Sequence, residues 1–148
     1  MKVCSEVMTK SLICCTPDDS TAKAAQLMKD EDVGSIPVVR KDDDLELVGI
    51  VTDRDLALNV VAESRDPKRT KVDEVMSRDP VTCLPEDDVE RALDAMAERQ
   101  VRRIPVVDSR GLLVGIIAQS DVATRLANPT IVGEIVGEIS RPVGTASL

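Results

Sequence analysis

The constraint that most limits how this chain can fold is an internal repeat, one stretch of sequence written twice in a constant register. Displaced by 68 positions, Glu6-Val7-Met8 falls on Glu74-Val75-Met76, Cys15 on Cys83, Pro17 on Pro85 and Met28 on Met96. The same displacement lays Ile36-Pro37-Val38-Val39 on Ile104-Pro105-Val106-Val107. After a two-residue adjustment within 40–45, Leu47-Val48-Gly49-Ile50 meets Leu113-Val114-Gly115-Ile116, Asp55 meets Asp121 and Ala57 meets Ala123. Chance matching does not keep its register over such a length, so the chain holds two copies of one supersecondary unit. Its 148 residues suit one domain or two small modules sharing a core.

Each copy reads β-α-β-β-α. The short apolar runs 12–15 and 81–84 end at Pro17 and Pro85 and suit brief strands. Thr21, Ala24, Ala25 and Met28 then recur at helical spacing, as do Val89, Ala92, Leu93 and Met96. Asp18-Asp19-Ser20 and Glu86-Asp87-Asp88 precede these helices, supply N-cap candidates and favour the positive end of the helix dipole. Two buried-type strands follow in each copy, 36–40 with 45–51 and 104–108 with 112–117. Polar turns join them, Lys41-Asp42-Asp43-Asp44 and Ser109-Arg110-Gly111. A second helix opens near Thr52 or Ser120. The charged stretch 62–71, containing Pro67, reads as a linker, which divides the chain into repeat 1 (1–66), repeat 2 (67–130) and a tail (131–148). Ile131, Ile135 and Ile139 give that tail one apolar stripe, so it is expected to form an amphipathic helix that frays beyond residue 140.

Absences narrow the function. The chain has no Phe, Trp, Tyr or His. Bases cannot stack on aromatic side chains, which removes the usual single-strand nucleic-acid platforms. Without His there is no Ser-His-Asp or Cys-His pair, no HExxH and no Cys/His zinc finger, and no metal site is expected. A Walker loop and a G-x-S-x-G elbow are also missing, so the expectation is a protein that is not an enzyme. The net charge of −8 repels phosphate backbones and anionic membranes at long range, although a small anion can still bind in a local basic pocket. No apolar run approaches the roughly 18–20 residues of a membrane span, and Glu6 and Lys10 break up any signal-peptide core. The sequence therefore reads as cytoplasmic, with Cys4, Cys14, Cys15 and Cys83 reduced.

The paired motifs reach a known family. Ile36-Pro37-Val38-Val39 with Gly49-Ile50-Val51-Thr52-Asp53-Arg54-Asp55, and Ile104-Pro105-Val106-Val107 with Gly115-Ile116-Ile117-Ala118-Gln119-Ser120-Asp121, resemble a tandem cystathionine β-synthase (CBS) domain pair. This is a Bateman module of the stand-alone bacterial or archaeal type, and the resemblance covers nearly the whole chain up to about Ile131. It implies an α/β (α+β) fold of two β-α-β-β-α repeats packed sheet to sheet with pseudo-twofold symmetry and two equivalent clefts. It also implies a disc-like homodimer, and binding of AMP, ADP, ATP or S-adenosylmethionine to regulate or energy-sense for another protein.

Within that resemblance, the ribose contacts come from the Ser/Thr and Asp of a G-h-h-[ST]-x-x-[DN] pattern, which Thr52 and Asp55 fit. By themselves these two residues favour a capping box, with Thr52 at N-cap and Asp55 at N3; the repeat and the resemblance turn the reading toward ribose. Cleft one then combines Thr52, Arg54 and Asp55 with Pro80, Val81, Val101, Arg102 and Arg103. Adjacent arginines suit phosphate because a guanidinium donates two parallel hydrogen bonds. The plainer alternative is that they neutralise Glu98 and its neighbours at a helix end. Cleft two pairs Ala118, Ser120 and Asp121 with Leu12, Ile13, Val33, Gly34 and Ser35. It lacks both the hydroxyl at Ala118 and the arginine pair, so it is expected to be weaker. Cys14 and Cys15 point to opposite faces of a strand, whereas Cys15 and Cys83 hold equivalent places, which leaves a redox role open beside simple burial. The competing functional reading is a structural or interaction scaffold with vestigial clefts.

Overall fold

Prolines decide how far each sheet extends. The structure, a computed structural model, describes residues 2–10, 12–41 and 44–125. The expected tail helix and residues 42–43 of the first turn lie outside them. In the first copy β1 (Ser35–Lys41) pairs antiparallel with β2 (Asp44–Thr52), and in the second β3 (Arg103–Val107) pairs with β4 (Leu113–Ala118). Both hairpins are rich in β-branched residues that suit a pleated surface. They share a register, Pro37 opposite Ile50 and Pro105 opposite Ile116. They also share an irregularity just beyond, after Val38 and after Val106.

The brief strands expected at 12–15 and 81–84 are each reduced to a single parallel bridge, Cys15 to Val38 and Cys83 to Val106. The Cys15 N–H donates to the Pro37 carbonyl at 3.1 Å, and the Val39 N–H donates to the Cys15 carbonyl at 2.9 Å. Continuing this ladder in either direction needs an N–H from Pro37 or from Pro17, and neither has one. Pro105 and Pro85 stop the second copy at the same point.

The helices start where their caps predict. α2 (Thr21–Glu31) has Ser20 as N-cap, its hydroxyl accepting the Lys23 N–H at 3.1 Å. α4 (Val89–Arg99) buries Val89, Ala92, Leu93 and Met96, the full expected stripe. On α2 the stripe is Thr21, Ala24 and Met28, with Leu27 partly packed, whereas Ala25 is exposed rather than core-facing. Both helices end on a residue in the left-handed conformation, Asp32 at φ 54° and Gln100 at φ 55°. From there the Val33 and Val101 N–H groups reach back to the Met28 and Met96 carbonyls. The helix after β2 is α3 (Asp53–Leu56), which widens into a π-helical turn at Ala57–Val61, and the helix after β4 is α5 (Gln119–Arg125).

The chain forms two compact units, and their membership departs from the linear order of the repeats. One comprises residues 13–80; the other joins residues 2–12 to residues 81–125 of the second copy. Equivalent segments have changed places. Residues 69–77 complete the first-copy unit, where the 3-10 turn Val72–Glu74 buries Val72 and Val75 beside Ile36, Val38 and Val51. Residues 2–10 complete the second-copy unit, where α1 (Cys4–Val7) buries Cys4, Val7 and Met8 beside Leu93, Met96 and Ile104. Each segment ends by bridging the outer edge of a hairpin, Ser77 to Ile50 and Thr9 to Ile116. The stretch read as a linker is partly docked as well. Buried Thr21 donates its hydroxyl to the Pro67 carbonyl at 3.0 Å, and its N–H donates to Thr70 at 2.8 Å.

Glycine is what lets these segments come close. A Cβ on Gly49 would stand 2.6 Å from the Ser77 carbonyl oxygen and 2.9 Å from Met76 Sδ; on Gly115 it would stand 2.5 Å from Met8 Sδ. The obstacle at Gly49 is backbone held by a bridge, whereas at Gly115 it is a flexible thioether. Gly49→Ala is therefore expected to cost about 2–3 kcal/mol, as overpacking does, and Gly115→Ala clearly less. Urea unfolding followed by far-UV circular dichroism checks the order of the two variants.

Candidate ligand-binding site

Most of the residues expected to bind ligand lie at two turns, one in each unit, where a β-hairpin hands over to a helix. In the first-copy unit Thr52 is the last extended residue of β2, at φ −119° and ψ 163°, and the chain turns into α3 behind it. The Thr52 hydroxyl accepts the Asp55 N–H at 3.0 Å, while Asp55 Oδ2 accepts the Thr52 N–H at 2.9 Å. The capping box is thus formed. It uses one oxygen of a half-buried carboxylate, and among the described residues nothing bonds to the other. Capping and ligand contact are compatible on these two side chains. Asp53, next in line, has its carboxyl pushed up by burial although the Arg54 N–H donates to it at 2.8 Å. Arg54 is exposed and makes no ion pair with any described residue.

The same turn holds residues that the sequence assigned to the other cleft. Ser35 lies opposite Thr52 in the register, and the Gly34 carbonyl accepts the Asp53 N–H at 2.9 Å. Val33, Gly34 and Ser35 therefore share one sheet end with Thr52 and Asp55. The second-copy unit repeats this. Arg103 lies opposite Ala118, and the Arg102 carbonyl accepts the Gln119 N–H at 2.8 Å. Arg102 and Val101 are exposed and Arg103 half-buried. Neither arginine pairs with Glu98 or with any other described acid, so the neutralising role is not realised here. Leu12, Ile13, Pro80 and Val81 are all half-buried, and they mark the two points at which the chain passes from one unit to the other.

The two turns differ in their hydrogen bonds, and one contributor went unseen in the sequence. With Ala118 in place of Thr52, the turn before α5 has no hydroxyl to receive the Asp121 N–H. Asp121 Oδ2 keeps only a stretched bond from the Ala118 N–H at 3.4 Å and takes the Thr9 hydroxyl at 3.0 Å instead. Thr9 is the repeat equivalent of Ser77, and that shared hydroxyl beside Met8 and Met76 was the available signal. Ser120 is exposed, and its carbonyl accepts the Thr124 hydroxyl. A separate open pocket of about 480 Å³ lies near the turn end of the first hairpin, lined by Pro17, Arg40, Leu47, Val48, Asp73, Met76 and Arg78. It contains none of the expected residues, and its arginines are paired, Arg40 with Glu46 and Arg78 with Asp73.

A family model described as the CBS domain matches residues 4–62 and again residues 72–128. The chain belongs to the CBS-domain family. This CBS pair is 39% identical over 140 residues to the CBS domain-containing protein YhcV of Bacillus subtilis, covering 95% of this chain and 96% of that one. A solved structure of Hypoxic Response Protein I, with two coordinated zinc ions, superposes with a TM-score of 0.74 at 29% identity, covering 84% of this chain and 98% of the other. CBSX2, solved in complex with AMP, superposes with a TM-score of 0.72 at 28% identity, covering 85% of this chain and 96% of the other. The α+β fold, with two small antiparallel sheets, is that of these CBS pairs. Among the described residues no group of three or more His, Cys, Asp or Glu is placed to hold a metal ion, and no helix is long and apolar enough to cross a membrane.

The capping roles can be measured separately from any ligand. Thr52→Ala removes a formed N-cap and should cost about 1 kcal/mol, whereas Ala118→Ser supplies one and should stabilise by about 0.5–1 kcal/mol. Denaturant midpoints of the two variants test both signs.

Proposed function

We propose that this CBS pair is a non-enzymatic regulatory module that binds an adenosine-containing ligand, of the AMP, ADP, ATP or S-adenosylmethionine class. The observation that carries the reading is the first-copy turn. Its Asp55 carboxylate closes the cap with one oxygen and keeps the other for a ribose hydroxyl, beside the Thr52 hydroxyl. Membership of a family in which CBSX2 was solved with AMP supports the ligand class. Arg102 and Arg103, uncommitted to any described acid, are assigned to the phosphate, with Arg54, Pro80, Val81 and Val101 completing the site. Without aromatic side chains, aliphatic residues hold the base and backbone groups read its edge. The second set, Ala118, Ser120 and Asp121 with Leu12, Ile13, Val33, Gly34 and Ser35, binds more weakly, because Ala118 offers no hydroxyl and the set has no arginine.

In this reading the module works in the cytoplasm as a homodimer and passes ligand occupancy to a separate protein. That transfer requires two conformations of unequal affinity for the ligand. Nucleic acid and membrane are not partners of so acidic a chain. The competing scaffold reading is favoured by one feature, the completed capping box, which gives Thr52 and Asp55 a structural task whether or not anything binds.

Thermal unfolding with an extrinsic dye, against AMP, ADP, ATP, GTP, S-adenosylmethionine and NAD, separates the two readings. A ligand at 100 times its Kd stabilises by about 2.7 kcal/mol, which for a chain of this size is roughly 5–10 °C. Asp55→Asn keeps an acceptor for the Thr52 N–H but loses the charge. It should preserve the ligand-free Tm and shrink the adenine-nucleotide shift, and Arg103→Ala should abolish the shift for phosphorylated ligands. No shift with any compound at millimolar concentration selects the scaffold.

A further inference from the structure

The second-copy core contains two thiols brought together from distant parts of the sequence. Cys4 opens α1 and is fully buried, while Cys83 bridges β3 and is 6% exposed; both sit in one apolar cluster with Val7, Met8, Val89 and Ile104. The chain at Cys4 is bonded to the loop that follows Cys83, Cys4 Sγ donates to the Asp88 carbonyl at 3.9 Å, and the two thiols shift each other's titration as close neighbours do. The repeat suggested Cys15 as the counterpart of Cys83, but Cys15 belongs to the core of the first-copy unit. The neighbour of Cys83 is instead delivered by the exchanged segment 2–10. At the position equivalent to Cys4 the first copy carries Val72, equally buried. Packing at this place is thus satisfied by an aliphatic side chain, and the second thiol is not needed to fill space.

We propose that Cys4 and Cys83 form a redox-sensitive dithiol, closed into an intramolecular disulfide by a low-molecular-weight disulfide such as oxidised glutathione. Cys4 attacks first, because it rides on the short segment α1 that opens to solvent. The Cys83 thiol draws the Cys4 thiol below its ordinary range, whereas the Cys4 thiol, burial and the nearby Asp87 carboxylate push Cys83 up. The Cys4 thiolate bonds to one sulfur of the oxidant and expels a glutathione thiolate. Cys83 then gives up its proton and attacks Cys4 Sγ, releasing a second glutathione thiol. Two protein thiols are oxidised and one glutathione disulfide is reduced to two thiols. Access comes through α1, a single turn of four residues, which opens more readily than the longer helices. The turn is anchored by the Cys4 N–H to Asp87 at 2.8 Å and the Ser5 N–H to Pro85 at 2.9 Å, and its flanks by the Val89 N–H to Lys2 at 3.0 Å and the paired Thr9–Ile116 bonds at 2.8 and 3.0 Å. Once formed, the bond ties segment 2–10 to its unit and with it Thr9, whose hydroxyl occupies Asp121. Oxidation thereby fixes the ligand turn of the second copy.

The full chain is titrated with oxidised glutathione, quenched with an alkylating reagent and digested with trypsin without reduction. Cleavage after Lys2, Lys10, Lys23, Arg78 and Arg91 puts Cys4, the Cys14-Cys15 pair and Cys83 on three different peptides. The expected product is peptide 3–10 joined to peptide 79–91, two hydrogens lighter than their sum, formed in monomers and reversed by dithiothreitol. In Cys83→Ser, glutathione should remain attached to Cys4. Oxidation should raise the Tm of the wild type and leave that of Cys4→Val unchanged, a variant that copies Val72 and is expected to fold. The proposal is overturned if cross-links run through Cys14 or Cys15, or join two chains. It also fails if Cys4 and Cys83 both stay alkylatable at oxidant levels that modify Cys14.

Discussion

Each core in this protein is closed by a segment from the other repeat, and the close approach of that segment to a hairpin edge is what the remaining structure rests on. Met76 and Ser77 lie over Gly49, and Met8 lies over Gly115, at distances that leave no room for a Cβ. Val72 and Val75 on one side, and Cys4 and Val7 on the other, then fill space that two short strands and a helix cannot fill. A two-stranded hairpin is marginal alone. Here each gains a single bridge on either edge, one limited by prolines and one supplied by exchange.

Much of this was legible because the repeat carried redundant signals. The strands at Ile36-Pro37-Val38-Val39 and Ile104-Pro105-Val106-Val107, the cap at Ser20 and the stripe Val89, Ala92, Leu93 and Met96 depend on local sequence, and local physics placed them correctly. The departures have non-local causes. Ala25 fits the helical period yet faces water, because Leu27 makes the contact to the core in its place. The runs at Cys15 and Cys83 look like strands, but the missing N–H groups that limit them belong partly to prolines on another strand. The exchange of segments 2–10 and 69–77 is invisible to periodicity, since equivalent sequences occupy equivalent positions whichever copy supplies them.

At the two hairpin-to-helix turns the difference between copies is a matter of single atoms. The hydroxyl of Thr52 completes a cap and leaves half of Asp55 unused; the methyl of Ala118 cannot, and Asp121 is drawn to Thr9. Sequence reasoning found Thr52, Asp55, Ala118 and Asp121 through the motif they share. It missed Thr9 because the partnership spans 112 positions, with no spacing rule to reveal it. The first-copy turn is thus capped by its own residues, whereas its twin is held by a hydroxyl from segment 2–10.

The exchanged segments also impose an order of assembly. In the first-copy unit, Thr21 is bonded to a residue 46 positions away. In the second, Cys4 and Thr9 reach across 84 and 112 positions. Longer closures cost more chain entropy and slow folding. During synthesis the unit of residues 13–80 has every part it needs once Pro80 has emerged. Segment 2–10, made before that unit, must wait for a hairpin made after it. A segment synthesised ahead of the first-copy unit therefore docks behind it, and in a polysome it passes other unfinished copies of the same hairpin before its own exists.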